Sequence, residues 1–311
     1  MRRTMEKLTI GTRGSELALW QANHIKDLIE NEHGVTVELK IIKTMGDKIL
    51  DVPLAKVGGK GLFVKELEEA LLRNEVDLAV HSMKDVPTEL PEGLFMGIVT
   101  ERVDARDAFL SVKYDSFNEL PQGAVIGTSS LRRQCQLQAI RPDIKCAQNR
   151  GNVGTRIRKM KEGQFDAIIL AAAGLKRLGL GDEIKEILPA DVSIPAIGQG
   201  ALGIESRVGD DEVSRLLAFL NHQETAYAVR AERAFLMKLE GGCQVPIAGF
   251  GTIDGDSIKF DGLVGSEIGD IILKDTITGS VNDAEKIGIE LAQRLLDRGA
   301  DKILEEVYKN M

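Results

Sequence analysis

The chain has 311 residues, 43% of them hydrophobic and 28% charged. Those ordinary proportions exclude a disordered chain, a collagen-like chain and a small disulfide scaffold. The formal net charge is -8, but it is unevenly spread. Between Arg132 and Lys161 nine Lys or Arg face one acid, Asp143, and a local basic patch on an acidic chain points to an anionic ligand. Cys135, Cys146 and Cys243 are too few and too far apart for a disulfide framework or a Cys-rich zinc site. No apolar run approaches the ~20 residues that span a bilayer, and no signal-peptide stretch follows the charged start. A cytoplasmic protein with no membrane partner and no metal is expected.

In chain order, Leu8–Thr12 reads as a strand, followed by a helix that Ser15 caps. The inner face of that helix is predicted to carry Leu17, Trp20, His24, Ile25, Leu28 and Ile29. Strands are expected over 35–42, 77–82, 124–128 and 164–171, with helices over 63–73 and from Ser129. This alternation is the pattern of an α/β chain with mostly parallel sheets. The last ninety residues differ. A helix over 224–239 precedes three strands at 246–253, 257–265 and 270–278, and a helix over 282–299 closes an α+β unit. No internal repeat is visible.

The turns beyond strand ends are where ligands bind in open parallel sheets. They hold Thr12-Arg13-Gly14-Ser15, His81-Ser82-Met83-Lys84-Asp85 and Gly127-Thr128-Ser129-Ser130-Leu131-Arg132-Arg133. Hydroxyls and free backbone N–H groups at a helix start, with two arginines in the next turn, suit a carboxylate or phosphate. The same residues could be a serine cap with solvated arginines. Arg150-Gly151-Asn152-Val153-Gly154-Thr155-Arg156 brackets a sharp turn with two arginines, or simply opens a helix with a charged outer face. The Lys56 to Phe63 stretch carries Gly58, Gly59 and Lys60. It is no P-loop, since Leu54 and Gly61 stand where Gly and Ser or Thr belong, and a mobile lid is expected of it. Cys243 lies between Gly241-Gly242 and Gln244-Val245-Pro246, either a small buried hydrophobe or a sulfur that glycines leave accessible. Asp85 is a solvated ion partner or a catalytic carboxylate.

Taken together, His81-Ser82-Met83-Lys84-Asp85-Val86-Pro87, the Gly127–Arg133 and Arg150–Arg156 stretches, and Leu239-Glu240-Gly241-Gly242-Cys243-Gln244-Val245-Pro246 resemble the porphobilinogen deaminase family. The likeness runs from about Ile10 to the last helix. It departs where Gly11 and Gly14 flank Thr12-Arg13 and where Ala147-Gln148-Asn149 precede Arg150. The resemblance implies a transferase that joins four porphobilinogen molecules into the linear tetrapyrrole hydroxymethylbilane and releases ammonia. It implies a dipyrromethane cofactor, attached covalently through a thioether to Cys243. The implied fold is α/β: two doubly wound domains like type II periplasmic binding proteins, plus a C-terminal α+β domain with a three-stranded antiparallel sheet. Residues 1–103 with 198–220 would form the first domain, 104–197 the second and 221–311 the third, cofactor-bearing one, in a monomer.

Residue by residue, the resemblance makes Arg13, Ser15, Lys84, Thr128, Ser129, Ser130, Arg132, Arg133, Arg150, Gly151, Asn152, Arg156, Arg177 and Gln199 cofactor- or substrate-binding positions, and Lys56, Gly58, Gly59 and Lys60 the lid. Pyrroles that carry acetate and propionate give the basic segment a chemical reason, since arginine forks are suitable carboxylate partners. Asp85 matches the family's catalytic carboxylate, which faces pyrrole N–H groups and stabilises positive charge on the ring nitrogen. Two other classes compete with this reading. A non-catalytic anion-binding module would leave Cys243 without a task. A nucleic-acid binder would need stacking aromatics, and between Arg132 and Lys161 there are none.

Overall fold

The computed structural model describes residues 7–48, 64–241 and 245–310. Its strands, in chain order, are β1 (Lys7–Thr12), β2 (Thr36–Ile41), β3 (Leu78–Ser82), β4 (Leu94–Val99), β5 (Asp107–Leu110), β6 (Val125–Gly127), β7 (Lys145–Ala147), β8 (Ala167–Ala171), β9 (Glu186–Ile187), β10 (Leu202–Arg207), β11 (Ile247–Asp254), β12 (Ser257–Gly265) and β13 (Ile272–Ser280). The described residues group into two compact units. One holds 7–48, 64–102 and 201–226, and the other holds 103–200, 227–241 and 245–310.

The first unit is a five-stranded sheet in the order β2-β1-β3-β10-β4. β1 pairs parallel with β2 and β3, whereas β10 lies antiparallel between β3 and β4. Its inner strands are apolar on both sides because helices cover both faces. Leu8, Ile10, Leu78 and Val80 pack with Ala22, Ile25 and Ile29 of the Glu16–His33 helix, and Ala79 packs with Leu67 and Leu71 of the Lys65–Leu72 helix. Ser15 caps the first helix by accepting the Ala18 N–H at 3.3 Å, and Gly34 ends it at φ 66°. The buried face of that helix is Gln21, Ala22, Ile25 and Ile29. Trp20 and His24, expected inside, instead stack on each other with ring centroids 5.0 Å apart. The stripe is rotated by one residue because Gln21 is needed inside, where its amide donates to Ser82 Oγ at 2.8 Å.

The second unit contains a sheet in the order β7-β6-β8-β5-β9. β6 pairs parallel with β7 and β8, and β5 runs antiparallel to β8 and β9. Each sheet therefore has two parallel and two antiparallel pairings, not the mostly parallel ladder expected. The two sheets also share one topology, although no repeat is visible in the sequence. In each, the antiparallel insert (β10, β5) is the strand the chain enters on arriving from the other unit.

The same unit includes the antiparallel sheet β11-β12-β13, within two residues of each expected boundary. Its core centres on Phe235 and Phe260, edge to face at 5.3 Å, with Leu291, Leu295, Ile303 and Val307. The helix expected over 282–299 is present as Ala284–Asp297, and a further helix, Ala300–Asn310, follows it after Gly299 at φ 96°. This sheet meets the rest of its unit through a cluster of Cys135, Ile194, Ala248 and Leu263.

Candidate active site

β1 and β3 are parallel neighbours, so their C-terminal ends emerge side by side. β1 runs into Arg13-Gly14-Ser15 and β3 into Ser82 and a helical turn, Met83–Asp85. A cavity there is lined by Arg13, Ser15, Gln21, His81, Ser82 and Asp85. Asp85 is exposed and Arg13, Ser15 and Lys84 are half-buried. A guanidinium, hydroxyls and a carboxylate thus share one wall, able to take both an acidic side chain and a ring N–H.

The second basic site lies at the end of β6, within the second unit. Thr128 is buried, and its Oγ1 accepts the Ser130 N–H at 3.2 Å. Ser129 Oγ donates to the Asn149 carbonyl and accepts the Asn149 N–H, both at 3.1 Å, tying the β6 and β7 turns together. Gly151 adopts φ 115°, and a Cβ there would lie 2.7 Å from Thr155, so only glycine fits this turn. Asn152 caps the Val153–Lys161 helix by accepting the Thr155 N–H at 2.8 Å. Arg156 Nε bonds the Gly151 carbonyl at 2.8 Å. Arg177 Nη2 bonds the Gly200 carbonyl at 2.8 Å, and burial lowers its pKa to about 10. Burial draws Arg150 in the same direction.

Arg132 and Arg133 do not face outward. They are 4% and 6% exposed, and both grip the fully buried Asp107. Arg132 Nη1 reaches Asp107 at 2.9 Å and the Ile194 carbonyl at 2.6 Å, and Arg133 Nη2 reaches Asp107 at 2.8 Å. Ser193 and Gln199 complete the cluster at 2.8 and 2.9 Å. Burial would raise the Asp107 carboxyl, but the two arginine charges outweigh it and hold the group well below the usual carboxylate range. Gln199 also donates to the Ala105 carbonyl at 2.6 Å. These three sequence-selected side chains are engaged by the protein itself. Sequence reasoning missed Asp107, although an acid heading the apolar run Ala108-Phe109-Leu110 is a legible sign of a buried partner. It also missed Asn149, 1% exposed, whose two side-chain amide atoms have no partner among the described residues. Cys243 and the lid residues Lys56, Gly58, Gly59 and Lys60 lie outside the described residues.

Among the described residues no group of three His, Cys, Asp or Glu could hold a metal ion, and no helix is long and apolar enough to cross a membrane. In this α/β fold a basic side chain and hydroxyls at strand ends thus line one cavity with an exposed carboxylate. The family profile described as porphobilinogen deaminase, dipyromethane cofactor binding domain, matches residues 8–215, and that of the porphobilinogen deaminase C-terminal domain matches 226–297. The chain is 59% identical over 305 residues to the porphobilinogen deaminase of Geobacter metallireducens, covering 98% of this chain and 96% of the relative. It is 61% identical over 305 residues to that of Trichlorobacter lovleyi, covering 98% and 97%. Among solved structures, a putative methionine-binding lipoprotein of Bacillus subtilis aligns with TM-score 0.43 and 14% identity over 70% of this chain and 90% of its own. The chain belongs to the porphobilinogen deaminase family. It is accordingly a transferase of tetrapyrrole biosynthesis that polymerises porphobilinogen to hydroxymethylbilane and uses a dipyrromethane cofactor.

Proposed function

We propose that Asp85 is the catalytic carboxylate of this polymerisation, with Arg13, Ser15 and Lys84 binding acidic side chains beside it. The observation that carries this is the cavity in which Asp85 meets Arg13, Ser15, Gln21 and Ser82. As ammonia leaves porphobilinogen, positive charge develops on the ring nitrogen, and a preorganised carboxylate there is worth about 3–4 kcal/mol. Ser129, Ser130, Arg150, Arg156 and Arg177 hold further acetate and propionate groups. Burial-depressed guanidiniums at Arg150 and Arg177 and the unpartnered amide of Asn149 fit the acidic dipyrromethane. A bound dipyrromethane supplies the nucleophilic α-carbon and stays on the enzyme. Thr128, Gly151, Asn152, Arg132, Arg133 and Gln199 shape the turns and the interior behind those groups. Cys243 is the thioether anchor, residues 56–60 are the lid, and residues 1–103 with 198–220, 104–197 and 221–311 act as three domains of a monomer working in the cytoplasm without nucleic acid or membrane partners.

The test separates charge from shape. Asp85→Glu should keep a small residual rate, whereas Asp85→Asn should lose about 10²–10³ in kcat while still carrying cofactor. Turnover is measured beside thermal unfolding, and an active, destabilised Asp85→Asn would show that Asp85 only orders its loop. For the anchor, Cys243→Ser should purify without the mass of two pyrrole units, while Cys135→Ala and Cys146→Ala keep it.

A further inference from the structure

Behind the cavity lies a buried group of ionisable side chains that the roles above leave unused. His81 on β3 is 5% exposed, and its Nε2 lies 2.9 Å from Oε2 of Glu205 on β10. Glu205 is 1% exposed, and its Oε1 has no partner among the described residues. Glu68, from the Lys65–Leu72 helix, is 7% exposed and feels both groups. Burial pushes the Glu68 carboxyl up to about 7, the Glu205 charge adds to the rise and His81 opposes it. Glu69 adds further negative charge from the same helix, and Arg13 and Asp85 line the same cavity as His81. Apolar residues would fill such a space at lower energetic cost, so an imidazole held by one buried carboxylate and coupled to a second, at the edge of a cavity, suggests proton handling.

We propose that His81, backed by Glu205 and Glu68, takes up the proton that each pyrrole α-carbon releases on coupling. A carbon–carbon bond forms between the α-carbon of the last ring and the exocyclic carbon that ammonia has left. The α C–H bond then breaks, its electron pair returns to the ring, and the proton passes to the imidazole nitrogen not engaged by Glu205. From there it goes to the released ammonia, which departs as ammonium, so no other reactant is needed. Glu205 is a positioning residue that holds the ring and its tautomer, and Glu68 sets the local charge. The inference rests on the family's reaction and not on the part given to Asp85.

The test uses holoenzyme carrying His81→Asn or Glu205→Gln and porphobilinogen deuterated at its free α-carbon. Turnover should fall by about 10²–10⁴-fold with the cofactor mass retained, and the deuterium isotope effect should exceed that of the unaltered enzyme because C–H cleavage has become limiting. An unchanged isotope effect in both variants would overturn the proposal. A second readout needs no turnover. The chain has four histidines, so imidazole NMR can follow His81 in the unaltered protein. Its signal should shift on adding porphobilinogen, and that response should be altered in Glu68→Gln. If the first two variants fail to fold, a His81 signal indifferent to substrate would refute the relay.

Discussion

Asp107 heads β5 with no exposed surface, so every lone pair on its carboxylate must find a donor inside the protein. Arg132, Arg133, Ser193 and Gln199 supply them. Asp107→Asn would leave two buried guanidiniums facing a neutral amide, and the expected loss is about 3–5 kcal/mol of unfolding free energy by urea titration. Because the folded carboxyl is held below its unfolded value, its stabilisation is complete above the unfolded pKa of ~3.9 and drains away as pH falls below it. The unaltered protein should therefore lose stability more steeply on acidification than Asp107→Asn. Arg132→Leu should likewise unfold more readily, so its cofactor content must be compared at matched stability. The paired arginines were legible in the sequence as charge but not as direction. An arginine in a first helical turn reads the same whether it faces solvent or an aspartate 25 residues earlier.

At the scale of elements, turn residues were readable and close approach was not. The Asp-Gly and Gly-containing turns that separate them placed β11, β12 and β13 nearly correctly. The cavity-lining turns were legible too, since Arg13, Ser15 and Asp85 sit directly after strand-like runs. What the pattern could not reveal is that the Ala284–Asp297 helix touches the Gln223–Lys238 helix backbone to backbone. A Cβ on Gly288 would lie 2.1 Å from the Ala231 carbonyl oxygen. Neither helix can yield without moving the Phe235–Phe260 pair. Gly288→Ala should cost roughly 1–3 kcal/mol, measured by thermal unfolding, despite alanine's better helix propensity. A variant as stable as the parent would show that the helices can separate freely.

At the scale of the whole molecule, among the described residues the chain passes between its compact units at 102–103, 200–201 and 226–227. This discontinuity was legible only through family likeness. The run Leu202-Gly203-Ile204-Glu205-Ser206-Arg207 is a strand whose pairing partners lie more than a hundred residues back, and no local pattern names them. β10 fills the slot between β3 and β4, and Arg207 bonds the Leu71 and Val76 carbonyls at 3.1 and 2.6 Å. A chain ending at residue 200 should therefore leave the first sheet open. Hydrogen exchange at Ile10 and Leu78, slow in the full chain, should become fast in the fragment, and protection retained there would contradict this account.

The same slot has a consequence during synthesis. β4 is complete at Val99, yet β10 starts only at Leu202. At ~5–20 residues per second, the ribosome needs roughly 5–20 seconds to deliver the missing strand. Throughout that interval β3 and β4 present unpaired N–H and C=O groups, a template for adhesion between nascent chains. The late arrival of β10 thus exposes the newborn chain to adhesion, and slowing translation between residues 100 and 202 should reduce the yield of soluble enzyme.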